Sequence, residues 1–180
     1  TILQLAVMGK LVPQDPNDEP ASATLAKGHT GHACDQSHDA DVAPFAIPPR
    51  WRWEKLQQLL EPERDISYGV IKLGIEPKTG GVWTLRCSDV KPGMINLFGV
   101  RKVSDEIERN YIRTRLTGGE ILLNIRGTLG GVALVPSELA GYNVAREVAV
   151  IPVHKGISGK YLVDVMLSDY FWKSILNGLR

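Results

Sequence analysis

Two short apolar runs either side of a glycine-bearing turn constrain this chain more than any other feature: residues 120–125 (EILLNI) and 131–135 (GVALV). Each run is too short for a stable helix and the right length for a strand. The intervening Arg126-Gly127-Thr128-Leu129-Gly130 supplies two glycines where a tight reversal needs positive φ. The pattern predicts a β-hairpin, and hence an antiparallel sheet that other strands must complete. Residues 147–153 (EVAVIPV) read as a further strand. So do residues 67–73, as strand and turn, and 80–87, as a turn and then a strand with Trp83 and Leu85 on one side. Residues 89–93 read as a turn.

Helical signals flank these strands. Residues 2–8 are apolar and helix-compatible, with Gly9 as a stop and Pro13 soon after. A polar, proline-punctuated turn covers 14–20, and Ser22 is placed to cap a short helix over 21–26. Trp51 and Trp53 are followed by Leu56, Leu59 and Leu60, a short helical stripe. Ser104 reads as the N-cap of a helix over 105–116, with Asp105 and Glu106 in its first turn and Gly118-Gly119 at its end. Residues 158–178 read as helix, in two pieces, packing through Tyr161, Leu162, Val165, Met166 and Leu167. The fold class predicted is α+β: short antiparallel strands with flanking helices, preceded by a helical segment. Its predicted parts are a helix and Pro-rich turn over 1–26, a flexible linker over 27–46 and a globular domain over 47–180. The chain opens at Thr1 within an apparent helix, which reads as a piece of something longer.

With 43% hydrophobic residues the chain is able to bury a core, and no apolar run approaches the roughly 20 residues that span a bilayer. Cys34 and Cys87 lie in unrelated contexts, so a disulfide framework is not expected and a reducing cytoplasm fits. Charge is uneven. Residues 1–49 hold two basic and six acidic residues (net −4), whereas 50–180 hold 19 basic and 14 acidic (net +5). A basic globular part suits a polyanionic partner.

Candidate sites follow from residue type and spacing. His29, His32, Cys34 and His38 offer metal-ligand chemistry, but they fall within ten residues of a segment with linker composition, and no metal site is expected there. On the 105–116 helix Arg109 and Arg113 are four apart, with Arg115 nearby. They suit a phosphate backbone, but taken alone they fit better a solvated face with Glu106 and Glu108 as partners. Arg126, at the hairpin turn, suits a guanine edge or a phosphate. Asn143 and Arg146 open a strand after Gly141-Tyr142; Asn pairs with adenine, and it also caps turns. Catalytic patterns are missing: no Ser-His-acid set, no His-Glu-x-x-His, no Cys-x-x-Cys and no methyl-transfer motif.

Taken in order, these pieces resemble one family, the DNA-specificity subunits of type I restriction-modification enzymes. The phrase GKLVPQDPNDEPAS at residues 9–22 matches the family's without a break. IPPRWRW (47–53) resembles the proline-tryptophan entry to its target-recognition domain. Residues 66–72, 103–115, 116–132 and 141–149 resemble its successive motifs, and 161–179 its closing Tyr-Leu helix. The resemblance implies a non-catalytic chain that recognises one half of a bipartite duplex DNA site and directs partner subunits. Arg109, Arg113 and Arg115 would bind phosphates; Tyr68, Lys72, Arg86, Arg126, Asn143 and Arg146 would be candidates for base edges. The implied partners are double-stranded DNA, modification methyltransferase subunits and, indirectly, a restriction subunit. S-adenosylmethionine, ATP and Mg would belong to those subunits, leaving this chain without a cofactor. The alternative is a protein-interaction or scaffolding module that keeps the fold without DNA contact.

Overall fold

The computed structural model describes residues 1–28, 45–127 and 130–178. The His/Cys segment at 29–38 therefore lies outside the described residues, as does most of the expected linker. The fold is α+β. Contacts divide the chain into two compact units, one of Thr1–Glu63 with His154–Arg180 and one of Arg64–Val153. The sequence assigned residues 47–63 and 154–180 to the strand-bearing part. In the structure residues 47–63 and 154–178 fall in the first unit with the N-terminal helices.

The first unit is helical. Helix α1 (Ile2–Val7) is capped by the Thr1 hydroxyl, and Gly9 follows with φ +67°. Helix α2 (Ala21–Gly28) begins at Ala21, whose N–H donates to the Arg50 carbonyl. Ser22 thus lies inside the first turn and is not the cap. The tryptophan stripe forms a 3-10 turn at Leu56–Leu59, and the C-terminal helix is broken into α4 (Gly159–Leu167) and α5 (Asp169–Gly178). Ser158 caps α4 by accepting from the Tyr161 N–H, and the break follows the extended Ser168.

This unit explains why two distant sequence phrases occur together. The Arg50 guanidinium donates to the Pro16 and Asp18 carbonyls, and Trp51 Nε1 donates to Gln14 Oε1 at 2.8 Å. A Cβ on Gly9 would lie 2.6 Å from Pro48 Cγ, so glycine is required by space as well as by φ. Tyr161 packs edge-on against Trp51 and donates to the Val7 carbonyl at 3.2 Å. The Pro-rich turn and the tryptophan entry are two halves of one clasp.

The second unit holds the strands: β1 (Ser67–Tyr68), β2 (Val82–Leu85), β3 (Val90–Lys91), β4 (Met94–Ile95), β5 (Arg101–Val103), β6 (Ile121–Asn124), β7 (Val132–Leu134), β8 (Asn143–Val144) and β9 (Val148–Ile151). One antiparallel sheet has the order β1-β9-β6-β7, with Leu122 opposite Ala133 and Val150. A second has the order β5-β2-β8, with β2 and β8 parallel. The bridge between Val70 and Ala145, also parallel, links the two sheets. Of residues 89–93, read as a turn, 89 and 92–93 are turn, while Val90–Lys91 between them are one arm of the β3–β4 hairpin, which two-residue strands leave invisible to periodicity. The core collects Leu85, Val90, Leu116, Leu122, Val135, Val144, Val148 and Val150, all at most 1% exposed. At roughly 1.5–3 kcal/mol per large apolar side chain, such burial is the main stabilising term. Among the described residues, no helix is long and apolar enough to cross a membrane.

The expected helix over 105–116 is corrected. Ser104 caps it as predicted, but α3 is only Asp105–Glu108 and a 3-10 segment, Arg109–Thr114, follows, broken at Tyr111 (φ −129°). The cause is local. The Tyr111 carbonyl accepts from Asn143 Nδ2 (3.0 Å) and the Thr114 hydroxyl (2.9 Å), so helical spacing is given up for a buried network. Arg109 and Arg113 therefore do not share a helical face in the way their i, i+4 spacing suggested.

Candidate functional site

Strand direction decides which loops meet. Strands β1 and β6 both run antiparallel to β9, and so run the same way. The parallel pairings of Val70 with Ala145 and of β2 with β8 give β8 and β2 that direction too. All four exit at one end of the unit. Immediately beyond them stand Lys72, Arg86, Arg126 and Arg146. The ladder is continuous there: Arg146 N–H donates to Val70 O, Ala145 N–H to Leu85 O and Ile125 N–H to Glu147 O, all within 2.9 Å. Strand β5 runs opposite to β2, so Arg101, at its start, joins the same end.

Side-chain contacts tie these loops together. Asn124 Nδ2 donates to the Cys87 and Val90 carbonyls, fixing the β6–β7 hairpin to the turn after β2. At the tip, Gly127 (φ +81°) leaves room for Cys87 Sγ only 3.2 Å from where a Cβ would sit. Arg86 is a brace. Its guanidinium pairs with Asp89 (3.2 and 3.3 Å) and donates to Gly99 O (2.8 Å), joining the 86–89 turn to the loop between β4 and β5. That guanidinium is already engaged by protein groups, so Arg86 positions the loops.

The remaining cations at this end are accessible. Among the described residues, none pairs with the exposed Lys72 or Arg126. Arg146, 47% exposed, pairs with neighbouring Glu147 at 3.3 Å. Arg101 meets Glu76 at 3.2 Å, both well exposed. The Lys102 N–H and then the Arg101 guanidinium hold the Glu76 carboxyl below its ordinary range. Such exposed pairs are worth little and are readily exchanged for another anion. Tyr68 lies on β1, half exposed, opposite Ala149. Sequence reasoning missed Arg101; its signal was the basic Arg101-Lys102 pair just after a turn.

Two predicted site residues are corrected. Asn143 is fully buried, and its amide is satisfied on both sides. Its Oδ1 accepts from Thr114 Oγ1 (2.7 Å) and Val144 N–H (2.8 Å), while Nδ2 donates to Glu108 Oε1 (3.2 Å) and Tyr111 O. No atom is left for a base, and the turn-organising role is the one it fills. Arg115 clamps the buried Glu108, with Nε at 2.9 Å from Oε1. That hydrogen bond raises the guanidinium's already high pKa. Arg109 donates back to Asp105 O, and Arg113 is exposed. The segment carrying these arginines starts where β5 ends, opposite the loop cluster. The structure thus brings Lys72, Arg86, Arg126 and Arg146 together but does not bring Arg109, Arg113, Arg115 or Asn143 to them. Among the described residues, no group of three or more His, Cys, Asp or Glu is arranged to hold a metal ion.

Comparison with known proteins agrees with the order of motifs. The specificity subunit of the type I restriction enzyme EcoBI, from Escherichia coli, is 29% identical over 159 residues, covering 84% of this chain and 32% of that subunit. This chain is similar to type I specificity subunits. Those of EcoAI and EcoEI, also from Escherichia coli, are 46% and 42% identical over 80 and 72 residues, or 37% and 33% of the chain. The chain spans about a third of the EcoBI subunit's length, and the other two matches cover 14% and 12% of theirs. No family model matches.

Proposed function

We propose that this chain recognises one half-site of a bipartite duplex DNA target, as part of a type I specificity subunit, and performs no chemistry itself. The observation that carries the reading is the convergence of Lys72, Arg101, Arg126 and Arg146 at one end of the strand-bearing unit. Lys72 and Arg101 supply phosphate contacts that set register; Arg126 and Arg146, on loop ends beside the hairpin tip, reach for base edges. Arg86 holds the loops in place. Arg109 and Arg113 lie outside this face, and Arg115 and Asn143 act structurally. Modification methyltransferase subunits, and indirectly a restriction subunit, are the partners directed to the bound site. S-adenosylmethionine, ATP and Mg belong to them.

The test is selection of duplexes from a randomised pool by the purified chain. Enrichment of one short contiguous motif is the expected result. Its loss in the Arg126→Ala/Arg146→Ala double variant, with non-specific binding retained, would assign readout to these two residues. Enrichment of no motif, or methyl transfer from S-adenosylmethionine by the chain alone, would contradict the proposal.

A further inference from the structure

Among the described residues of the strand-bearing unit, Phe98 is the most exposed large apolar side chain, at 92%. It does not sit on a slack loop. Ile95 on one side and Val100 on the other pack against the core, so both ends of the loop are anchored. Asn96 N–H donates to Asp89 O at 2.8 Å, and Asn96 Oδ1 accepts from the Phe98 N–H at 3.0 Å, fixing the turn from within. Gly99 turns the chain at φ +75° while its carbonyl is held by Arg86. Leu97, 48% exposed, stands beside it. The loop is a braced arm whose tip is an aromatic ring in water.

The arm springs from the strand end that carries Arg101 and Arg126, and Arg86 physically ties it there. An exposed aromatic of this size is a liability unless a partner covers it, and the surrounding cations specify a polyanion. We propose that Phe98 is a wedge that stacks against, and partly opens, a base step of the bound duplex. The inference rests on the DNA-binding reading above. Apolar side chains inserted between base pairs unstack and kink a duplex, and a ring carried on a braced backbone costs less to order on insertion than one on a slack loop. Recognition would then include the ease with which a sequence unstacks, read at a step where no hydrogen bond is made.

The experiment measures binding of the full chain, by fluorescence anisotropy, to two duplexes of equal length. One is fully paired; the other carries a central mismatch flanked by 2-aminopurine. A wedge gains where unstacking is already cheap. The native chain should prefer the mismatched duplex by about tenfold and change the 2-aminopurine emission. Phe98→Ala should bind both duplexes alike, and Phe98→Trp should keep the preference. Because the side chain is exposed, both variants should melt with the native chain. Equal preference in the native chain and Phe98→Ala, alongside weakened binding in Lys72→Ala/Arg101→Ala, would overturn the wedge and leave the DNA-binding face standing. Failure of the native chain to bind either duplex would overturn both.

Discussion

At the residue scale, the chain separates cations that brace from cations that are available. Arg86, Arg64 and Arg115 each meet a carboxylate at most 4% exposed, whereas Lys72, Arg126 and Arg146 face solvent. Arg126→Ala should therefore weaken binding to a selected duplex by roughly 1–3 kcal/mol, or about 5- to 150-fold, with melting temperature unchanged. Paired anisotropy and thermal melts test this, and a lower melting temperature with unchanged discrimination would make the residue structural. Asn143→Ala should do the reverse. It strips four hydrogen bonds from a buried network and leaves Glu108 with one partner fewer, costing about 2–4 kcal/mol of stability. Denaturant unfolding measures that loss, and a change under 0.5 kcal/mol would contradict the network's role. Sequence alone could not sort these residues. Asn143 and Arg126 are both polar residues next to a glycine-bearing turn, and only burial distinguishes them.

At the element scale, the β6–β7 hairpin was legible because its strands alternate with a Gly-bearing turn, and β9 because it is a continuous apolar run. The 105–116 segment was misread as one helix because Ile107, Tyr111, Ile112 and Leu116 fit a helical period. The bonds that break it come from Asn143, far away in sequence. The entry to β6 depends on Glu120, 1% exposed, which accepts from the Thr117 and Gly118 N–H groups, the Thr117 hydroxyl and Arg64. Burial pushes this carboxyl up, but the Thr117 hydroxyl, Arg64 and the backbone N–H groups together outweigh it and hold it below the ordinary 4.5. A carboxyl lowered on folding contributes stability that is fully present above the unfolded value of 4.5 and is lost as pH falls through the folded value. Unfolding free energy should thus decline more steeply below pH 4.5 in the native chain than in Glu120→Gln, as urea melts from pH 7 to 3 would record. Parallel pH profiles would contradict the assignment.

At the scale of the whole molecule, the chain's two phrases have different uses. The Gly9–Trp51 clasp organises the helical unit, and Gly9→Ala should destabilise it through contact with Pro48 without altering duplex preference. The strand-bearing unit gathers its recognition loops because β1, β2, β6 and β8 share one direction. That fact resides in strand pairing, and periodicity does not reveal it. Hence the candidate cations other than Arg101 were named from sequence, while their division between two ends of the unit was not. The proposed position of the DNA is against the end carrying Lys72, Arg101, Arg126 and Arg146. Its most direct test is the salt dependence of duplex binding. The log–log slope should fall by about one unit for each of Lys72→Ala and Arg101→Ala, through lost counterion release. Arg109→Ala/Arg113→Ala should leave it unchanged. A slope lowered by the Arg109/Arg113 pair and untouched by Lys72→Ala and Arg101→Ala would place the DNA at the opposite end of the unit and contradict the account.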